Sequence, residues 1–262
     1  LISFVPLEDI VRHNIQHLFR NVDIQSVNLF RINRTTRDYA EDYASVLMSQ
    51  GLRRTAVAYD TRNLNFTASW LKEFRAAKQA AGQSLAAEVP YASADSTDFG
   101  QVISQMLASK PDNLVFISGA LDVARLAQQA RKQAPKLPIA AAEWAATEQL
   151  VELGGEVVEG LLIVQNYDRD DQSERYRDFA DAFYKRFQRQ PGYSTVAAYD
   201  ATTVVLTSLK NRQRGETLKQ AALRSGPYQG LQQTIVFDAN GDTRRQAFFT
   251  RIQNGRYVRL QD

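Results

Sequence analysis

From residue 27 onward, short apolar runs alternate with stretches in which apolar residues recur at every third or fourth position. Residues 27–32 are an apolar run, and 35–50 carry Tyr39, Tyr43, Val46 and Leu47 at helical spacing before Gly51, a residue suited to the left-handed turn that stops a helix. The alternation then predicts a strand at 55–59, a helix at 66–81 with Trp70, Phe74 and Ala77 on one face and Gly82 as its stop, and a strand at 85–89. It continues with helix 98–109, strand 114–117, helix 123–133, strand 138–142, a short helix 147–153 and strand 161–165. Short apolar strands separated by helices are the signature of a parallel sheet covered on both faces, because right-handed crossovers lay the helices there. Residues 27–165 are therefore expected to form a doubly wound α/β lobe.

After Tyr167 the pattern changes. A charged link at 168–171 leads into helices at about 172–189, 195–210 and 216–225, and short β segments follow at 234–237, 246–252 and 257–260. Asn240-Gly241 and Asn254-Gly255 favour tight hairpins, and this ribbon is expected to return to the α/β lobe. Leu1-Ile2-Ser3-Phe4-Val5-Pro6 reads as a buried strand running into a turn, with no initiator Met or leader ahead of it, so the chain is expected to start in mid-fold.

Composition narrows the chemistry. The 262 residues hold no Cys, which removes disulfides, thiolate nucleophiles, Cys-ligated zinc and iron–sulfur clusters from consideration. The net charge of +3 comes from basic residues scattered among acids rather than from a basic stripe, so no nucleic-acid partner is expected. No apolar run approaches the roughly 20 residues that span a bilayer. His13 and His17 stand at metal-binding spacing, but His13-Asn14-Ile15-Gln16-His17 lacks the glutamate of the zinc-protease motif and a third ligand. Asp238-Ala239-Asn240-Gly241-Asp242 opens like a calcium loop, yet the position of the distal glutamate is Phe249, and the segment reads as a hairpin turn. With no Gly-x-Ser-x-Gly elbow, Walker loop or Gly-x-Gly-x-x-Gly, the chain carries no catalytic constellation, and neither metal nor cofactor is expected.

Ligands of open parallel sheets bind beyond the carboxyl ends of the strands. Four segments occupy that place: Asp60-Thr61-Arg62-Asn63, Ser118-Gly119, Glu143-Trp144 and Asn166-Tyr167. A carboxylate directly after an Ala-rich strand and beside Trp144 suits a bound ammonium group through charge-assisted hydrogen bonding and cation–π contact, although a solvated loop acid beside a packing Trp has the same pattern. Ser118-Gly119 precedes a helix whose free N–H groups could hold an anion, or is an ordinary strand-to-helix turn. Arg62 could meet a ligand carboxylate or be a surface arginine.

An ordered set of segments resembles the type I periplasmic solute-binding proteins of the branched-chain amino acid group, which serve ABC importers. The set comprises Leu1-Ile2-Ser3, Phe19-Arg20, Ala58-Tyr59-Asp60, Thr97-Asp98-Phe99, Lys110-Pro111-Asp112, Phe179-Ala180-Asp181-Ala182-Phe183-Tyr184 with Pro191, Ala198-Tyr199-Asp200-Ala201 and Phe237-Asp238-Ala239-Asn240-Gly241-Asp242. The resemblance implies two α/β lobes that close like a hinge on a small-molecule ligand. Residues 23–168 with 234–262 would form the second lobe, and 1–22 with 169–233 the remainder of the first. The upstream strands of that first lobe are absent from the chain, as in a fragment, a chain completed by another polypeptide, or a half-lost cleft. By the same likeness, Val5-Pro6-Leu7 stands where relatives hold the ligand carboxylate through side-chain hydroxyls, which it does not offer. Phe66-Thr67 replaces a Tyr-Gly, Ala120 or Leu121 replaces an aromatic, and Glu143 keeps the acid that pairs with the ligand ammonium. The implied function is extracytoplasmic binding of an amino acid or related amine or amide, with Phe66 and Trp144 covering its apolar part. The implied partner is the permease of an ABC importer or, for a sensory module of the same fold, a signalling protein.

Overall fold

The structure, a computed structural model, describes residues 2–3 and 30–260. Val5, Pro6, Leu7, His13, His17 and Phe19-Arg20 lie outside the described residues. The chain divides into two compact units, a first unit of residues 1–35 and 166–247 and a second unit of 36–165 and 248–262.

The first unit opens with β1 (Ile2–Ser3), paired in parallel with β2 (Phe30–Arg31). The second unit then runs α1 (Thr36–Ser49), β3 (Thr55–Asp60), α2 (Leu64–Ala80), β4 (Ala87–Tyr91) and α3 (Phe99–Ala108). It continues with β5 (Asn113–Ile117), α4 (Ala120–Gln133), β6 (Ile139–Ala141), α5 (Glu148–Gly154) and β7 (Leu162–Gln165). The chain returns to the first unit for α6 (Glu174–Phe187), α7 (Tyr193–Asn211), α8 (Leu218–Ser225), β8 (Tyr228–Gln229) and β9 (Thr234–Ile235). It finishes in the second unit with β10 (Phe248–Gln253) and β11 (Arg256–Arg259).

The second unit is built on one seven-stranded sheet in the order β11-β10-β7-β6-β5-β3-β4. The five strands from β7 to β4 are parallel, and β10 and β11 join antiparallel at one edge. Gly51 and Gly82 close α1 and α2 with φ of +77° and +70°, the left-handed stops expected of them. Asn254 and Gly255 both take positive φ, as a two-residue hairpin between right-twisted strands requires. Asp98 caps α3 by accepting from the Gln101 N–H at 2.9 Å. Strand β4 begins two residues later than the pattern suggested and contains Pro90, which its place at the sheet edge permits.

Side-chain alternation along the strands sends Ala56, Ala58, Leu114 and Phe116 into a core with Ile103, Met106, Val123, Leu126, Ala127 and Ala130. The other face receives α2, whose buried stripe is Phe66, Thr67, Trp70, Leu71 and Phe74. Each such fully buried large apolar side chain contributes about 1.5–3 kcal/mol. The stripe ends in Lys78, which periodicity did not anticipate; its ammonium donates to the Arg53 carbonyl at 3.2 Å, and burial lowers its pKa.

The unit boundaries differ from those read in the sequence. Residues 30–35, 166–168 and 234–247 belong to the first unit: β2 pairs with β1, Asp168 exchanges hydrogen bonds with Gln232, and β9 pairs with β8 rather than extending the large sheet. Ile32, Ala197, Ala201, Val204, Tyr228 and Ile235 form a core there, and Phe30 packs edge-on against Phe237 at 4.9 Å. Asp200 of α7 is fully buried and joined to Arg245 at 2.8 Å and to the Leu231 N–H at 2.7 Å. Gly230 is required beside it, since a Cβ there would come within 2.5 Å of the Gln233 carbonyl oxygen.

Candidate functional site

The carboxyl ends of β4, β3, β5 and β6 bring the predicted segments of the second unit to one edge, and each does something different there. Glu143 begins a single 3-10 turn (Glu143–Ala145), one residue past the end of β6, and is 8% exposed. Its Oε2 accepts a 2.9 Å hydrogen bond from the indole Nε1 of Trp70, while its buried Oε1 has no partner. Burial is the main cause that raises its pKa to about 7, opposed by its own backbone N–H and by Trp70. The solvated-loop reading of this acid is thereby overturned: β6 ends in the sheet interior and carries the carboxyl under α2.

Trp70 is held by its neighbours. Its ring lies 5.1 Å from Phe74 and meets Tyr43 edge-on at 5.4 Å. The Tyr43 hydroxyl donates to the Ala141 carbonyl and accepts from the Val164 N–H at 2.9 Å, so α1 is fastened to β6 and β7 just before Glu143. Burial and the nearby Glu143 charge push the Tyr43 phenol well above its ordinary pKa.

Trp144, 39% exposed, meets Phe66 edge-on at 5.5 Å. Its ring also lies 3.6 Å from where a Cβ on Gly119 would sit, so the glycine lets the indole lie against the start of α4. Phe66 of α2, Trp144 in the turn that begins at Glu143 and Gly119 ahead of α4 thus come together, with the Trp144 ring partly exposed. Leu121 is exposed and Ala120 buried, on the first turn of α4.

Two predicted contacts are turned inward. The Thr67 hydroxyl is fully buried and donates to the Asp60 carbonyl at 2.8 Å, which closes the turn between β3 and α2. Ser118 is also fully buried, hydrogen-bonded to the Tyr91 hydroxyl, which reaches Asp122 Oδ2 at 3.2 Å. Both side chains are consumed by the scaffold, and nothing in their sequence spacing distinguishes a hydroxyl that faces in from one that faces out. Asp60 accepts from the N–H groups of Arg62 at 3.0 Å and Ser93 at 3.1 Å, and the Arg62 guanidinium lies 3.6 Å from its other oxygen. Arg62 is therefore a partner of Asp60 at the surface.

Trp70, Tyr43 and Tyr91 were missed as parts of this site. Trp70 and Tyr43 sit on the buried stripes of their helices and look like core residues in any periodicity reading; only a polar handle on a core aromatic signals that it needs a partner. The edge holds three buried carboxylates, Asp60, Asp122 and Glu143, and of these Glu143 has an oxygen left over. Chemically it can accept a hydrogen-bond donor or a cation beside aromatic rings. Among the described residues no group of three or more His, Cys, Asp or Glu could hold a metal ion, and no helix is long and apolar enough to cross a membrane.

A family model described as periplasmic binding protein matches residues 20–256. No curated protein matches the chain in sequence. Among solved structures, a leucine-binding protein from Thermotoga maritima is similar with a TM-score of 0.80 and 21% identity, over 89% of this chain and 67% of that one. A branched-chain amino acid transporter substrate-binding protein from Streptococcus pneumoniae, in complex with isoleucine, has a TM-score of 0.76 and 17% identity, over 88% and 68% of the two chains. A solute-binding protein of an ABC transporter from R. palustris, in complex with benzoate, has a TM-score of 0.74 and 15% identity, over 89% and 64%.

Proposed function

Because this chain belongs to the periplasmic binding protein family, we propose that it is a receptor rather than an enzyme, and that it captures a small solute bearing a cationic amine at Glu143. The observation that carries this reading is the unpartnered, buried Oε1 of Glu143, the residue that precedes Trp144 of the Phe66–Trp144 ring pair. A buried carboxylate with one free oxygen is poorly solvated, and a ligand N–H group supplies the missing hydrogen bond and charge. The rings suit the cation and its apolar substituent. The similar structures hold isoleucine in one case and benzoate in another, so fold alone does not select the ligand. The acid does. Thr67 and Ser118 drop out as contacts, and Phe66, Trp144, Gly119 and Leu121 remain with Glu143. In this reading the protein works outside the cytoplasm, delivering its solute to the permease of an ABC importer, and binding is an equilibrium without chemistry.

The test is a native mass spectrum followed by thermal shifts with a panel of amines and amino acids. The expected result is a non-covalent adduct, lost on denaturation, whose formula contains a protonatable nitrogen. A matching solute at 100 times its Kd stabilises the protein by about 2.7 kcal/mol. Stabilisation that is unchanged in Glu143→Ala refutes the assignment of the site.

A further inference from the structure

The surroundings of Glu143 suit an uncharged carboxyl group. An ionised carboxylate has room for several hydrogen bonds, and when buried it needs most of them or a counter-charge. Asp60, at the same sheet edge, has both: two backbone N–H groups and the Arg62 guanidinium. Glu143 has the Trp70 indole and its own backbone N–H, with Oε1 unpartnered. Among the described residues no cation lies within ion-pair distance of it. Among the described residues, Trp70 of α2 bonds it and cannot titrate, and Tyr43 of α1 is a phenol that burial keeps neutral.

We infer that Glu143 holds a proton in the ligand-free site near neutral pH and releases it to solvent when a cationic ligand docks, so that binding is linked to proton release. This rests on the amine reading given above. The exchange is balanced: an ammonium ion enters, one proton leaves to water or buffer, and the charge of the site with its occupant is unchanged. The desolvation that raises the Glu143 pKa to about 7 supports the same assignment. Below that pH the free oxygen carries hydrogen and the amine must displace it. Above it the carboxylate stands ready.

The chain has two tryptophans, both in the second unit, and this makes the proton visible. In Trp144→Phe the single remaining indole N–H resonance belongs to Trp70, which donates to the Glu143 carboxyl. After exhaustive dialysis, that resonance is expected to titrate with a midpoint near neutrality, and to be flat in Trp144→Phe combined with Glu143→Gln. A flat profile in Trp144→Phe alone overturns the inference. The affinity of the wild-type protein for 2-phenylethylamine is then measured calorimetrically in buffers of different ionisation enthalpy. It is expected to rise ~10-fold from pH 6 to pH 8, with proton release seen at pH 6. An affinity independent of pH overturns the exchange. A titrating Trp70 resonance together with no binding of any amine at pH 8 upholds the protonated carboxyl and counts against the amine reading instead.

Discussion

Replacing Glu143 by Gln isolates what the buried acid does to stability. The glutamine keeps the shape and an acceptor for Trp70 but cannot ionise. In the folded protein the Glu143 pKa rises from 4.5 to about 7, whereas in the unfolded chain it returns to its ordinary value. Between those two pH values the native state binds a proton that the unfolded state does not, so stability falls as pH rises. The contribution is fully present below pH 4.5 and is lost as pH passes through about 7. At about 1.4 kcal/mol for each pKa unit, the total is about 3 kcal/mol. Glu143→Gln is therefore expected to match the wild type at pH 4.5 and to exceed it by about 3 kcal/mol at pH 8. Urea unfolding followed by tryptophan fluorescence reports on this directly, since both indoles lie in the second unit. Other groups titrate in the same window, but they are common to both proteins and cancel in the difference. Parallel stability curves for the two proteins from pH 5 to pH 8 would refute the reasoning.

Two further outcomes follow from the packing. Tyr43→Phe removes the acceptor of the buried Val164 N–H and the donor to the Ala141 carbonyl, and a loss of about 1–3 kcal/mol is expected in the same unfolding assay. Asp200→Ala leaves Arg245 buried without its counter-charge and the Leu231 N–H without an acceptor. A loss of about 3–5 kcal/mol is expected, while Asp200→Ala combined with Arg245→Met recovers most of it.

Much of the second unit was legible because its grammar is local. Apolar runs bounded by Gly51 and Gly82, and the Asn254-Gly255 turn, announce strands, helix ends and a hairpin without reference to anything distant. Glu143 was legible for a similar reason: a carboxylate just past an apolar strand stands at the carboxyl end of the sheet wherever the helices lie. Its meaning was not. The indole that bonds it is 73 residues earlier, and the phenol beneath that indole bonds strands about 100 residues further on. Such pairings depend on which helix covers which strand, which no periodicity carries. Thr67 and Ser118 show the converse, since whether a hydroxyl serves the scaffold or a ligand is decided by a rotation about one bond. The unit boundaries differ from the expected ones where β8 and β9, two residues each, are too short to display alternation, and their mutual pairing keeps that segment out of the large sheet.

The antiparallel pair β10 and β11 has a consequence for the order of assembly. Strand β7 is buried along its whole length, yet the strand that covers its outer edge begins about 80 residues later in the chain. At synthesis rates of about 5–20 residues per second, that edge stands open for roughly 4–16 seconds after β7 has emerged. An apolar strand with unpaired N–H and C=O groups is a template for pairing with another chain. The nascent protein thus passes through an interval in which its own final hairpin competes with any neighbouring strand for the same ladder, and a variant lacking β10 and β11 should aggregate rather than fold.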